Sequence, residues 1–200
     1  HSSADSACVD AAVDAGAVLC THLFNAMPGL HHRELSIVGK ALAERCLSNS
    51  MIVDGVHVDP GVVALSYPAH PEGMILVTDA MAAMGLDEGS YCLGSMEVEV
   101  ANGRAVIAGT QTLAGSVLRM DDAVRNLWVF SGCSKVEALE AASLRPAQLL
   151  SLDEERGDLG IGKRADFVVL SQDLQLESTY YQGVEVYSAD TGLLSACKET

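Results

Sequence analysis

The sequence predicts an α/β fold built on parallel strands. Three observations carry that prediction. Short apolar runs recur at residues 17–20 (AVLC), 50–53 (SMIV) and 74–77 (MILV), each brief enough for a strand buried on both faces. Stretches with helical spacing alternate with these runs, which asks for parallel strands joined by right-handed crossovers. Each run also leads directly into polar residues: His22 and Asn25, Asp54 and His57, Thr78 and Asp79. In an α/β barrel the reactive side chains sit where strands end and loops begin.

Taken in order, residues 2–15 are rich in Ala and Asp with helical spacing, and Gly16 closes them as a C-cap. His1 is read as the end of a preceding strand. The run 17–20 continues into THLFNAM, and Pro28 with Gly29 breaks it into a loop carrying His31, His32 and Arg33. Residues 38–45 read as a short helix. The run 50–53 ends in Asp54-Gly55-Val56-His57, and residues 60–69 form a helix with Pro60 in its first turn. The strand 74–79 follows. Beyond Asp87 the pattern becomes alternating. Residues 91–100 and 104–109 read as two strands of a hairpin about Asn102-Gly103, an insert at about 90–110. Residues 112–116 (TLAGS) are a small-residue loop, 120–130 and 135–143 are amphipathic helices, and 146–150 continues as a helical piece. From Gly157 the character is β again: a turn flanked by Gly160 and Gly162, a strand at 165–170, and two more within 174–186 about Gln182-Gly183. The tail is expected to be loosely held.

Bulk properties narrow the function. Two hundred residues suit one domain or slightly more, and 49% hydrophobic content supplies a sizeable core. A net charge of −15 argues against nucleic acid and against an anionic membrane surface, since both need a basic footprint. Six cysteines stand at 8, 20, 46, 92, 133 and 197 without a C-x-x-C pair, as expected for reduced thiols in a cytoplasmic protein. The longest uncharged stretch, 15–32, carries three histidines, an Asn and a Pro, so it is no membrane span. The absence of an initiator Met suggests a fragment.

The polar strand ends carry the chemistry. Parallel neighbours bring His1, His22, Asn25, Asp54, His57 and Asp79 to one rim. Two imidazoles there can bind a divalent metal such as zinc and leave a place for water, whose proton a carboxylate such as Asp79 can accept. Other candidates read as structural. His31 and His32 are expected to be solvated, His70 to be packed at a turn, Met74, Met81 and Met84 to fill space, and 153–155 to be a solvated acidic face. Cys20, alternating with its strand neighbours, should point into the core.

The motifs THLFNAM (21–27), DGVH (54–57), VTDA (77–80) and LAGS (113–116), in this order and spacing, resemble the N-acetylglucosamine-6-phosphate deacetylases of the amidohydrolase superfamily. GDLGIGKRADFVVL (157–170) resembles that family's return into a small β-sandwich. The resemblance implies a C-terminal half of a (β/α)8 TIM-like barrel over 1–156 and part of a small β-sandwich domain over 157–200. It implies hydrolysis of the acetamide of a phosphorylated amino sugar, with a divalent metal, zinc at one ion per site, and a homodimer for the full-length protein. His1 and His22 match metal ligands. Asn25, Ala26 and Arg33 match positions that hold the sugar phosphate, the arginine across a dimer interface. Asp54, Gly55, Val56 and His57 match a substrate-binding loop, Asp79 the catalytic acid/base, and Leu113, Ala114 and Gly115 a substrate-lining loop. The family's third metal ligand, a glutamate, would precede His1. Two other readings stay open: an inactive barrel remnant that binds a sugar phosphate or partner, and another amidohydrolase such as a cyclic-imide hydrolase.

Overall fold

The computed structural model describes residues 1–193. A parallel sheet of order β1-β2-β3 forms from Leu19–Cys20, Ser48–Met51 and Met74–Leu76. Its registers pair Cys20 with Asn49 and Met51 with Leu76, so all three strands run in step toward one rim. Ile37–Ala43 (α2) connects β1 to β2, and Pro60–Ser66 (α3), continued by a 3-10 turn at Tyr67–Ala69, connects β2 to β3. The alternation expected from the sequence is therefore present as three strands. Residues 1–4 belong to no strand, so the fourth strand expected to end at His1 is not part of this sheet.

Local chemistry explains where each helix begins and stops. The helix α1 (Ser6–Asp14) starts at Asp5, whose carboxylate accepts from Cys8 N at 2.9 Å. It stops before Gly16, which takes φ +97° at little cost because it has no Cβ. Asp59 caps α3 by accepting from Gly61 N at 2.7 Å, with Pro60 at the first helical position. Further on, α4 (Met120–Ser131), α5 (Lys135–Ala142) and α6 (Leu144–Leu149) pack as a helical layer, α4 between α3 and α5. A reciprocal Ser134/Glu137 capping box opens α5.

The main core lies between the parallel sheet and these helices. Leu23, Met51, Ile52, Val53, Val63, Met74, Leu127, Ala138 and Ala141 are fully buried there, each large side chain contributing about 1.5–3 kcal/mol of apolar burial. Cys20 joins this cluster as expected, and burial raises its thiol pKa.

Two antiparallel sheets stand beside this core. Gly89–Leu93 (β4), Met96–Ala101 (β5) and Arg104–Ile107 (β6) make a three-stranded meander. This corrects the two-strand hairpin expected over 91–100 and 104–109. Leu93 pairs with Met96, and Gly94 turns the chain at φ +60°, so the alternating run is two strands rather than one. Asn102-Gly103, both at positive φ, make the expected second turn. A separate small core of Met81, Ala83, Val98, Val100, Ala105 and Ala114 sits under this sheet. Met84, expected to pack, is instead 42% exposed. Among the described residues the last sheet orders β10-β9-β8-β7, from Phe167–Leu170 (β7), Leu176–Tyr181 (β8), Val184–Ser188 (β9) and Gly192–Leu193 (β10). Arg125 fastens it to the helical layer by donating to Leu174 O at 2.7 Å. The expected loose tail and Cys197 fall in residues 194–200, outside the described residues.

Candidate active site

The site is built on the C-terminal ends of β1, β2 and β3. Because these strands are parallel neighbours, the segments that follow them share one rim. His22 follows β1, Asp54 and His57 follow β2, and Asp79 follows β3.

The segment after β1 is an unusual backbone. His22, Phe24 and Ala26 all take positive φ (+36°, +79° and +53°), a region L-residues enter only when surroundings hold them there. The holding groups come largely from β2. His22 N donates to Ser50 Oγ at 2.9 Å and Leu23 N donates to Ser50 O at 2.8 Å, while Leu23 is fully buried. Ser2 N donates to Ala26 O at 3.1 Å, which draws the first residues against the same loop. His1 Nδ1 then lies 3.1 Å from His22 Nε2, with the rings edge to face. His22 Nδ1 is buried without a hydrogen-bond partner.

That pair fits a cation. A tetrahedral zinc with bonds of about 2.0–2.1 Å sets two imidazole nitrogens about 3.3 Å apart. The facing nitrogens of His1 and His22 are within a few tenths of an ångström of that spacing. A set of three or more His, Cys, Asp or Glu ligands is not found among the described residues, so a complete coordination shell needs a further protein group.

Asp54 and His57 form a second, half-buried pair. Asp54 Oδ1 accepts from Val56 N at 2.8 Å and His57 N at 2.7 Å, and Oδ2 lies 2.6 Å from His57 Nδ1. Burial pushes the Asp54 carboxyl up, but the hydrogen bonds from His57 and Val56 outweigh it and hold the group below its ordinary value. An ionised Asp54 makes His57 Nδ1 the donor and leaves Nε2 for another partner. Gly55 takes φ +74° to close this turn over Phe130. Asp54 was expected within a substrate-binding loop. Its carboxylate is occupied within that loop, so it orients His57, the side chain with a nitrogen to spare.

Asp79 is exposed and also at positive φ, +48°. Its carbonyl accepts from Ser116 N at 2.8 Å, and Met81 N donates back to Ser116 O at 2.9 Å. Residues 112–116 are thus more than the loop expected. Leu113 bridges to Val106 and Ala114 N donates to Ala105 O at 2.9 Å, so the segment joins Asp79 to the β4–β6 sheet. Ala114 is buried, while Leu113 and Gly115 are half-buried.

The remaining candidates occupy the loop after β1. Asn25 spends its amide N–H groups on His22 O and Leu23 O at 3.3 and 3.4 Å, and Ala26 is exposed. Arg33 is exposed and donates through Nε to His32 Nε2 at 2.9 Å. Among the described residues it makes no hydrogen bond to Asn25 or Ala26. His31 and His32 are solvent-facing and His70 is buried, as expected. Sequence reasoning missed Ser50 and Ser116. For Ser50 the available signal was a polar residue opening an otherwise apolar run.

The sequence model of the amidohydrolase family matches residues 2–186. The human N-acetylglucosamine-6-phosphate deacetylase is 48% identical over 195 residues, covering 95% of this chain and 48% of that protein. The chain thus spans about half the length of the curated relatives it matches. The solved N-acetylglucosamine-6-phosphate deacetylase of Thermotoga maritima superposes with a TM-score of 0.89 at 35% identity, over 94% of this chain and 52% of that one. A mutant Mycobacterium smegmatis enzyme in complex with N-acetyl-D-glucosamine-6-phosphate gives a TM-score of 0.84 at 37% identity, over 91% and 49%.

Proposed function

The chain belongs to the amidohydrolase family, and from that premise we propose that it is the C-terminal half of an N-acetylglucosamine-6-phosphate deacetylase. In this reading residues 1–156 supply half of a (β/α)8 barrel and residues 157–200 part of a small β-sandwich. The reaction adds water across the acetamide C–N bond and yields acetate and glucosamine 6-phosphate. The observation that carries the proposal is the facing His1–His22 pair on the same rim as Asp54, His57 and Asp79.

Metal dependence is general in this family. His1 and His22 would hold a divalent cation, zinc by the chemistry of two imidazoles. When bound, such an ion acidifies a water and polarises a carbonyl oxygen. Asp79 takes the proton from the attacking water and returns it to the sugar nitrogen as the C–N bond breaks. His57, oriented by Asp54, offers Nε2 as an acceptor to a sugar hydroxyl. Ala26 and Arg33 bind the phosphate, Arg33 through a charged two-pronged donor, while Asn25, its N–H groups spent on His22 O and Leu23 O, shapes the loop that presents them. In a chain of net charge −15, an anionic substrate needs such locally placed donors. Leu113, Ala114 and Gly115 line the sugar. The five described cysteines are free, in keeping with a reducing cytoplasm, and the arginine's exposed position suits a homodimer interface.

The test is acetate release by the full-length protein. The expected result is turnover of N-acetylglucosamine 6-phosphate, with Arg33→Ala raising KM for it roughly 10- to 100-fold while leaving the unphosphorylated sugar nearly unaffected. Equal losses on both sugars would remove Arg33 from phosphate binding. No acetate from either sugar would remove the deacetylase.

A further inference from the structure

Asp79 holds a backbone conformation that its own strand does not enforce. β3 ends at Leu76, and the last bond of the parallel ladder is Val77 N to Met51 O at 3.2 Å. Two residues later the chain is at φ +48°, a left-handed conformation that a non-glycine residue keeps only where its surroundings hold it. The groups that meet it come from residues 115 and 116. Ser116 N donates to Asp79 O at 2.8 Å, and Ser116 O accepts from Met81 N at 2.9 Å. Ser116 Oγ donates to Thr78 O and accepts from Leu118 N. Every polar atom of Ser116 is thus engaged, three of the four bonds falling on residues 78–81, and the residue is 2% exposed. Gly115 takes φ +73°, and a Cβ there would stand 3.0 Å from Asp79 O, so only glycine lets the two segments approach this closely.

We propose that Ser116, with Gly115 giving it access, is a positioning residue that locks Thr78 and Asp79 in the strained turn and so aims the Asp79 carboxylate. This inference rests on the reading of Asp79 as the proton-transfer group. It goes further by assigning its aim to a segment 37 positions away, which is itself anchored on the β4–β6 sheet through Ala114 N and Ala105 O. Ser116 touches neither substrate nor metal in this scheme. It acts through the two backbone carbonyls on either side of the reactive side chain.

The test uses the full-length, metal-loaded protein and separates kcat from KM. Ser116→Ala removes the hydroxyl that spans Thr78 O and Leu118 N. The expected result is a kcat lower by roughly 10- to 100-fold, the order a misplacement near 1 Å costs, with KM and metal content within about two-fold. Ser116→Thr keeps the hydroxyl and is expected to recover most of the lost kcat. A serine that merely stabilises the fold would lower Tm and leave kcat per folded molecule alone. Should Ser116→Ala fail to accumulate, Gly115→Ala pushes directly on Asp79 O and is expected to show the same kcat loss, with a change in KM beside it because Gly115 also lines the sugar. Unchanged kcat in both variants overturns the inference. Asp79→Asn, assayed alongside, separates the two ideas. An inactive Asp79→Asn with a fully active Ser116→Ala sinks only the positioning role, whereas an active Asp79→Asn sinks the acid/base reading beneath it.

Discussion

The two ends of one parallel sheet treat the same residue types in opposite ways. At the C-terminal ends of β1 and β2, His22 faces His1 and His57 is oriented by Asp54, each with a nitrogen directed away from its structural partner. At the N-terminal end of β3, His70 is 5% exposed and packs flat against Gly73, where a Cβ would meet the ring at 2.3 Å. Arginines divide likewise. Arg33, in the loop beyond β1, is exposed, while Arg145 is 9% exposed below β3 and donates to Pro71 O at 2.6 Å, Met74 O at 3.3 Å and Glu140 Oε2 at 3.3 Å. Strand polarity decides the difference. Loops after the strands can be strained and left open to solvent because the opposite end, closely packed, secures the sheet.

Substitutions at the two ends should therefore fail differently. The largest expected effect is at the upper end: Asp79→Asn should lower turnover by roughly 10²–10⁴-fold while leaving Tm and metal content nearly unchanged. Activity within a few-fold of the parent would break the contrast. Next is Arg145→Ala at the lower end. It removes a buried guanidinium from Pro71 O, Met74 O and Glu140 and should cost about 2–4 kcal/mol of stability, read as a shift of the denaturant midpoint, with kcat per folded molecule unaltered. Loss of kcat without loss of stability would place Arg145 in the chemistry instead.

The smallest effect is a matter of pH. Burial, aided by the charge of Arg45, holds His70 below its ordinary pKa of 6.5. The unfolded chain then binds a proton at a pH where the folded protein does not. This group's contribution is intact above pH 6.5 and is lost as pH falls from there toward the depressed folded value. His70→Gln should flatten that part of the stability–pH curve. An unchanged slope would show that His70 titrates normally.

Much of this was legible in the sequence, for identifiable reasons. The strands 17–20, 50–53 and 74–79 stood out because apolar runs ended abruptly in His, Asp and Thr-Asp. Gly16 and the Asn102-Gly103 turn were legible because their chemistry is local. The break at Gly94 was hidden because YCLGSMEVEV keeps a strand-like composition through a two-residue turn. The positive-φ run at His22, Phe24 and Ala26 was hidden too, since no glycine marks it and the force holding it comes from Ser50 on another strand. The hold of Asp54 on His57 was hidden because a sequence cannot say that both carboxylate oxygens meet groups of their own loop. Ser116 was invisible as a partner of Asp79, because only the folded chain brings residues 37 apart into one ladder.

That ladder has a consequence for how the chain can change length. The Ala80–Ser116 bridge joins two points between which the chain leaves the rim, builds a three-stranded sheet over its own small core, and returns. Entry and exit of the excursion are therefore neighbours. Material added or removed at its far turn, Gly94-Ser95, alters only the length of an already closed loop, at roughly 0.6 kcal/mol per doubling. The rim does not register the change.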